Sequence, residues 1–254
     1  MFKALSPLLR GRKPKPRQAL REVRVHDRVL PLVIAEHGRS TRLTLRIEPG
    51  GRALKVTVPP GVPASEIDRF IERQQGWLMT RLARYPAGSS IVDGGQISLR
   101  GLDHVIRATG KVRGRTASVV ENGQAFLDVG GEPEHLSRRI RDFLKKEARQ
   151  DLTEAVARHA GTLKKRPGRI TIKDTRSRWG SCTSDGNLAF SWRIVMAPPH
   201  VIDYLAAHEV AHLAEMNHGP QFWSTCRALC AETDAARAWL KRHGTLLHAV
   251  DFGA

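Results

Sequence analysis

Hydrophobic and polar residues alternate in short segments over residues 22–58, near the start of the chain. Alternation with a period of two is typical of strands that bury one face, and proline and glycine break such segments. Breaks of this kind occur at Pro31, at Gly38 and at Gly50-Gly51. The pattern therefore predicts a small meander of strands in the segments REVRVHD, LPLVIAE, RLTLRIE and ALKVTVP.

A helix and a second strand-rich stretch are predicted to follow this meander. Ser65 resembles a helix N-cap, and the helix is expected to end near Tyr85, before a proline that cannot continue it. The apolar positions of this helix recur at helical spacing: Ile67, Phe70, Ile71, Leu78 and Leu82. Two hairpin turns are then predicted, at Asp93-Gly94 and Asn122-Gly123.

After Gly131 the pattern changes to longer amphipathic helices. The first of them has one apolar stripe, formed by Leu136, Ile140, Phe143, Leu144 and Leu152. Two strands are predicted next, RITIKDTRSRWGSC and NLAFSWRIV, joined by the turn TSDGN. Pro199 then opens a further helix, and Thr233 is expected to cap a last helix that ends at Gly244.

Together these elements predict an α+β protein. Residues 1–18 are expected to form a disordered basic arm, and residues 19–131 a strand-rich N-terminal domain. Residues 132–254 are expected to form a mainly helical domain that contains a small antiparallel sheet. The boundary is placed where the strand pattern gives way to the helix pattern.

The charge of the chain is strongly unbalanced, with 42 Lys and Arg against 25 Asp and Glu and a formal net charge of +17. Such an excess predicts attraction to polyanions, so non-specific contact with nucleic acid is a candidate interaction. In the sequence the excess is diffuse, and no aromatic residues interleave with the basic ones to indicate base stacking. The densest clusters are residues 1–24, Arg138 to Lys146 and Lys164 to Arg169.

The three cysteines are too few and too irregular for a disulfide framework, which favours a reducing compartment. Cys226 and Cys230 lie one helical turn apart and are expected to be small core residues. No segment has the pattern of a signal peptide, and no apolar run reaches the length of a membrane span. The sequence therefore predicts a cytoplasmic protein without membrane insertion.

The residues best suited to chemistry lie in the segment AAHEVAHLAEMNHGPQFW, at residues 206–223. His208, Glu209 and His212 form H-E-x-x-H, in which the two histidines share one helix face and can bind one metal ion. Neutral imidazole is a good zinc ligand, and a catalytic zinc site needs three protein ligands and one open position. The pattern predicts one zinc ion per chain.

The third ligand has two candidates. If the helix continued, His218 would lie about 240° around the axis from His212, so the helix must break first. Asn217 tolerates a left-handed conformation, and the following Gly-Pro cannot continue a helix, so a turn could return His218 to the metal. Glu232 is the competing ligand. Its segment has the pattern of an exposed junction between helices, which favours His218.

The segment SRWGSCTSDGNLAFSWRIVMAPPHVIDYLAAHEVAHLAEMNHGPQFW, residues 177–223, resembles the YgjP-like branch of the SprT-related zinc metallopeptidases. The resemblance includes the RWGSC motif, the residues before the zinc helix and the phenylalanine and tryptophan after it. It implies a zincin-like C-terminal domain and a zinc-dependent metallopeptidase that acts on peptides or proteins. It also implies that zinc is held by His208, His212 and His218, and that Glu209 is the catalytic residue.

In the mechanism that the resemblance implies, Glu209 is the general base for a zinc-activated water. Tyr204 lies on the same helix face as His208, so its hydroxyl either reaches the substrate or only marks a tyrosine packed in the core. The RWGSC strand either lines the substrate cleft, with Trp179 and Ser181 as substrate-binding residues, or holds the strand against the zinc helix.

Two other functions compete with the peptidase. The first is a nucleic-acid-associated protein whose zincin domain acts on DNA-bound proteins, and an ordered basic face near the cleft would favour it. The second is a zinc hydrolase that acts on non-peptide amides.

Overall fold

The computed structural model describes residues 19–26, 28–48, 50–83, 91–175 and 178–252. Its strands are β1 (Ala19–Val25), β2 (Arg28–Glu36), β3 (Thr44–Ile47), β4 (Leu54–Val58), β5 (Gln96–Leu99), β6 (Leu102–Ala108), β7 (Ala117–Glu121), β8 (Gln124–Val129), β9 (Ile170–Lys173), β10 (Gly180–Cys182) and β11 (Leu188–Ser191). Its α-helices are α1 (Ala64–Arg73), α2 (Gln75–Leu82), α3 (Leu136–Leu163), α4 (Pro199–Ala211), α5 (Pro220–Leu229) and α6 (Thr233–Ala249). The strand-rich first half and helical second half agree with the predicted α+β class. The predicted arm, residues 1–18, lies outside the described residues.

The chain divides into two compact units, residues 1–83 and residues 84–254. In the first unit four strands form one sheet, in the order β1-β2-β4-β3. β4 pairs in parallel with β2 and antiparallel with β3, so the sheet is not the predicted meander. In a meander each strand pairs with its successor, whereas here the chain places β3 at the outer edge and β4 returns between β2 and β3.

The helix predicted for this unit is divided into α1 and α2. The division lies at Gln74, whose backbone angles (φ −95°, ψ 2°) leave the helical region. Pro63 takes the N-cap position expected for Ser65, and the predicted end near Tyr85 lies outside the described residues. The apolar stripe is confirmed in its buried residues, which are Ile67, Ile71, Leu78 and Leu82.

The second unit contains a four-stranded sheet in the order β5-β6-β8-β7. Asn122-Gly123 joins β7 to β8 in a hairpin, as predicted, and both residues have positive φ (49° and 80°), as a type I′ turn requires. Asp93-Gly94, by contrast, forms a turn before β5 and not a hairpin. The hairpin turn between β5 and β6 is Arg100-Gly101, where φ is also positive.

This sheet shares its hydrophobic core with α3. Ile106 and Leu127 from the sheet belong to the same buried cluster as Ile140 and Leu144 from α3. Arg100 also donates two hydrogen bonds to Asp151 of α3, at 2.6 and 2.8 Å. The compact unit therefore begins before β5, whereas the expected boundary at residue 131 followed only the change from strand to helix pattern.

A three-stranded sheet in the order β10-β11-β9 positions the candidate site. The turn TSDGN joins β10 to β11 in antiparallel pairing, as predicted, but β11 pairs in parallel with β9. The sheet is therefore mixed and not antiparallel, because the segment expected as one strand forms two strands on opposite sides of β11. This arrangement makes β10 an outer strand of the sheet.

α4 lies in the centre of the second unit, in contact with α3, α5, α6 and β10. Its small residues Ala206, Ala207 and Ala211 have no exposed surface, which allows these neighbours to approach closely. Cys226 and Cys230, on and just after α5, belong to the same core, as their spacing predicted. Within the described ranges, no helix is both long enough and apolar enough to cross a membrane.

Candidate metal centre and active site

Three histidines converge at the end of α4. His208 lies in its last turn, His212 directly follows it, and His218 lies in the loop before α5. One ring nitrogen from each histidine lies within 4.8 Å of the others, and Nε2 of His208 is 3.1 Å from Nε2 of His218. In the part of the chain that the structure describes, no other three His, Cys, Asp or Glu side chains come together in this way.

The chain returns His218 to this cluster by ending α4 earlier than the sequence indicated. The amide nitrogens of Leu213 and Ala214 donate to the carbonyls three residues before them, at 2.9 and 3.0 Å, which tightens the chain after Ala211 into a turn. Asn217 does not adopt the left-handed conformation that was expected of it. Because the helix ends at Ala211, the following residues form a loop long enough to reverse direction.

Hydrogen bonds determine which nitrogen of each imidazole faces the cluster. Nδ1 of His212 donates to the carbonyl oxygen of Glu215 at 3.0 Å. A carbonyl can only accept, so Nε2 of His212 carries the lone pair. Nδ1 of His208 lies 3.2 Å from the hydroxyl of Tyr204, which leaves Nε2 to face His218. Metal-binding histidines are commonly oriented in this way, by a hydrogen bond from the other ring nitrogen.

Burial favours the neutral form of His208 and His212. It lowers the pKa of His208 to about 3, and the neighbouring His212 and His218 lower it further. Burial also lowers the pKa of His212. Neutral imidazole is the form that binds metal ions, so these two side chains are prepared as ligands at neutral pH.

The geometry of the histidines fits a zinc ion. Two nitrogens that share a tetrahedral zinc at about 2.0–2.1 Å lie roughly 3.3 Å apart. This separation is close to the 3.1 Å between the Nε2 atoms of His208 and His218. Glu232 is exposed at the N-cap of α6 and does not belong to the cluster. Three imidazoles that leave a fourth position open are typical of a catalytic zinc site and not of a structural one.

Glu209 is a buried residue beside the histidine cluster. It directly follows His208 in the sequence but does not belong to the cluster. The residue is only 4% exposed. Burial raises the pKa of its carboxyl group to about 8, and the positive charge of Arg178 opposes that rise. A carboxyl group with a pKa near neutrality is suited to accept a proton and to return it.

β10 passes very close to Glu209 at Gly180. A Cβ atom added to Gly180 would lie 2.7 Å from Cδ and 2.8 Å from Cγ of Glu209, so the Glu209 side chain would have to shift. The absence of a side chain at Gly180 therefore creates the space that the Glu209 carboxylate occupies. A glycine inside a strand pattern is a signal of such close approach, but the sequence did not reveal which residue approaches.

We expect Gly180→Ala to lower kcat by about a hundredfold while zinc content and helical content stay unchanged, because the new methyl group displaces the Glu209 carboxylate. Steady-state kinetics, metal analysis and circular dichroism measure these three quantities. Gly161→Ala is the matched control, since a Cβ atom there has no neighbour within 4 Å. Full activity of Gly180→Ala would show that the position of Glu209 does not depend on this glycine.

The other residues of the RWGSC motif connect β10 to α6. The ring of Trp179 stacks on that of His248 at 4.5 Å, and it also packs against Gly244. Ser181 is half-buried in the middle of β10, where it pairs with Ala189 of β11. The side chain of Trp179 thus holds the start of β10 against α6, while Ser181 lies on the strand that passes Glu209.

Tyr204 is buried, with 6% of its surface exposed. Burial raises the pKa of its hydroxyl group. The hydroxyl contacts Nδ1 of His208, on the opposite side of the ring from the Nε2 atom that faces His218. This contact orients a candidate ligand, and the sequence indicated it only as a shared helix face.

Two side chains near the cluster were not identified from the sequence. The ring of Trp223 lies 5.9 Å from that of His208 and 5.7 Å from that of His218, between centroids. The guanidinium carbon of Arg237 lies 4.0 Å from the centroid of the same tryptophan ring. In the sequence, Trp223 belongs only to the segment that carries the family resemblance, and no local pattern connects it to a residue on α6.

The chain matches one family model, described as YgjP-like, metallopeptidase domain, over residues 41–243. No curated protein and no solved structure matches it. The family match covers well over half of the chain and includes β10, α4 and all three histidines of the cluster. The resemblance found in the sequence is thereby confirmed, and the chain belongs to the YgjP-like metallopeptidase domain family.

Proposed function

We propose that this protein is a zinc-dependent peptidase whose metal is held by His208, His212 and His218 and whose general base is Glu209. The proposal depends on one observation above all. Three imidazoles, two of them held neutral by burial, converge next to a buried carboxyl group with a pKa near 8. Structural zinc sites need four protein ligands and have no use for such a carboxyl group.

The roles of the side chains follow from their positions. The three histidines would hold a zinc ion, which would supply Lewis acidity to activate water and to polarise a carbonyl group. Glu209 accepts a proton from the attacking water and returns it to the leaving amine. Tyr204 orients His208 through Nδ1, and Gly180 leaves room for the Glu209 carboxylate.

β10 is the element best placed to align a peptide. It is an outer strand of its sheet and passes directly beside Glu209. An extended peptide can pair with such a strand through backbone hydrogen bonds, which places its carbonyl groups along the strand. Hydrolysis of unstructured peptides by the zinc-loaded protein and by its Glu209→Gln variant tests the proposed function.

A second candidate function, the binding of nucleic acid, is favoured by an ordered basic face on α3. We define the α3 basic face as Arg138, Lys145, Lys146 and Arg149 of α3 together with Arg115 and Lys173. These residues line two neighbouring cavities that share Lys146. Among the described residues none of the six has an acidic partner in an ion pair.

The α3 basic face extends beyond the basic cluster that the sequence shows at Arg138 to Lys146. Arg115, α3 and Lys173 come from three separate segments, and the fold brings their like charges together. Arg138 and Arg149 are about 16 Å apart along the helix axis, which is enough to contact several successive phosphates. Asp142 and Asp174 also line the cavities, but Asp174 is bound to Arg193 at 2.8 Å.

We expect salt-sensitive, sequence-independent binding to single- and double-stranded DNA at about 50 mM salt, because released counterions drive such binding. The triple variant Lys145→Glu, Lys146→Glu, Arg149→Glu should weaken this binding and reduce the slope of log K against log salt by about two for single-stranded and about three for double-stranded DNA. Fluorescence anisotropy over a salt series measures both quantities.

The control for this variant has the same charge change in the basic segment after α3: Lys164→Glu, Lys165→Glu, Arg166→Glu. If both triple variants weaken binding equally, the charge acts diffusely and the α3 basic face is not a site. Absence of binding by the parent protein at about 50 mM salt would exclude nucleic acid as a partner.

A further inference from the structure

A cavity of about 410 Å³ lies beside the histidine cluster, between α4 and α6. This volume is within the range of pockets that hold small ligands or single side chains. Tyr204 connects the cavity to the candidate metal centre, since its hydroxyl lies 3.2 Å from Nδ1 of His208. The cavity is lined by Tyr204, Asp234, Arg237, Ala238, Leu240 and Lys241 and is called the α6 pocket below.

The α6 pocket carries a net positive charge. Arg237 and Lys241 lie one turn apart on the same face of α6, where like charges repel each other. Asp234 is the acidic residue of the lining, but it is already held by Arg227 at 3.0 and 3.4 Å. Lys241 has no ion pair with any described residue. The pocket is therefore complementary to an anion.

Arg237 is fixed in an orientation that suits a carboxylate. Its guanidinium face covers the ring of Trp223 at 4.0 Å, which leaves the N–H donors at the edge of the group. The contact with Asp234 is long, at 3.5 Å, and uses only one of the terminal nitrogens. A guanidinium with a stacked face and a free edge can bind a carboxylate through two parallel hydrogen bonds.

The α6 pocket is connected to the candidate metal centre through two aromatic side chains. Tyr204 lines the pocket, and its hydroxyl lies 3.2 Å from Nδ1 of His208. The pocket and the centre also share Trp223, whose ring contacts His218 and lies under Arg237. A group bound in the α6 pocket therefore contacts Tyr204 and Arg237, which are linked to His208 and His218 through the Tyr204 hydroxyl and the Trp223 ring.

We propose that the α6 pocket is a substrate subsite that binds a carboxylate of the peptide, through Arg237 and Lys241. This inference rests on the peptidase function proposed above and adds a substrate class, peptides with a carboxylate near the scissile bond. The carboxylate comes either from an Asp or Glu side chain or from the C-terminus of the peptide.

Binding by the zinc-loaded Glu209→Gln protein tests the subsite without any need for hydrolysis. The probes are fluorescein-labelled unstructured peptides in which Glu replaces Gln at each position in turn, each with a free or an amidated C-terminus. We expect at least one carboxylate peptide to bind about tenfold more tightly than its neutral counterpart. Preference for an internal Glu identifies a side-chain subsite, and preference for the free C-terminus identifies an exopeptidase-like one.

The same peptides are then compared in Lys241→Ala and Arg237→Ala, both in the Glu209→Gln background. Each change should remove most of the tenfold preference, which is the ratio of the affinities for a carboxylate peptide and for its neutral counterpart. Arg242→Ala is the matched control, since Arg242 lies on α6 outside the lining of the pocket. Equal affinity for all peptides, or a preference that survives both variants, would overturn the subsite. Hydrolysis by the wild-type protein decides the peptidase function separately.

Discussion

We expect Glu209→Gln to fold, to bind one zinc ion and to lose peptide hydrolysis by about two to four orders of magnitude. Glutamine keeps the shape and the hydrogen-bonding reach of the side chain but cannot accept a proton. Glu209 does not belong to the histidine cluster, so its replacement leaves the three candidate ligands in place. Zinc content and kcat on an unstructured peptide, measured on the same preparation, separate these two effects.

The expected loss of kcat has a specific cause in the structure. Glu209 is buried, and burial raises the pKa of its carboxyl group to about 8, so the group is tuned for proton transfer near neutrality. An amide in this position does not titrate at all. Gln has nearly the same volume as Glu and adds no charge at this buried position, so a change in folding is not expected to contribute.

Two results would contradict the proposed chemistry. Undiminished hydrolysis by Glu209→Gln would mean that another group acts as base. If the zinc-loaded wild-type protein hydrolyses no member of a broad peptide library but does hydrolyse small amides, the substrate class is wrong and the hydrolase of non-peptide amides is favoured. Neither result depends on the α6 pocket, whose test uses binding alone.

Much of the candidate site could be predicted because its central signal is local. His208 and His212 are separated by one helical turn, so any helix that contains them places both on one face. The same logic identified Tyr204 as a neighbour of His208, which the structure shows as a hydrogen bond at 3.2 Å. These are short-range consequences of helical geometry and need no knowledge of the tertiary fold.

The rest of the site depends on contacts that are distant in the sequence. Gly180 approaches Glu209 only because β10 crosses α4, and Arg237 covers Trp223 only because α6 packs beside α5. Periodicity predicts which face of an element is buried but not which element buries it. The sequence therefore placed Gly180 in a predicted strand and Arg237 in a predicted helix without revealing what either residue contacts.

Sheet topology was unpredictable for a related reason. Alternating residues predict that a segment is a strand, and an Asn-Gly turn predicts a hairpin, as between β7 and β8. The parallel pairs β2·β4 and β9·β11 have no such local signal, since their partners are joined by longer connections. A meander was the simplest arrangement of β1 to β4, and an antiparallel sheet was the simplest arrangement of the strands before α4. Both of these sheets instead contain one parallel pair.

The third metal ligand is the site residue whose assignment has the most direct experimental test. His218 is exposed in a loop, so replacing it removes a candidate ligand without opening a cavity in the core. Its Nε2 atom lies 3.1 Å from that of His208, whereas Glu232 lies outside the cluster at the exposed start of α6. The two candidates can thus be compared in variants that both retain the fold.

We expect His218→Ala to weaken zinc binding by more than about a hundredfold, since the loss of outer-sphere partners alone costs ten- to a hundredfold and a direct ligand contributes more. Glu232→Ala should bind zinc like the wild-type protein and serves as the matched control. Competition with a chromophoric chelator measures both affinities, and circular dichroism confirms that α4 and α6 remain folded. His218→Ala with full affinity beside Glu232→Ala with none would assign the third ligand to the glutamate. Loss of zinc only in His218→Ala, together with unchanged helix content, would establish that the loop after α4 completes the metal centre.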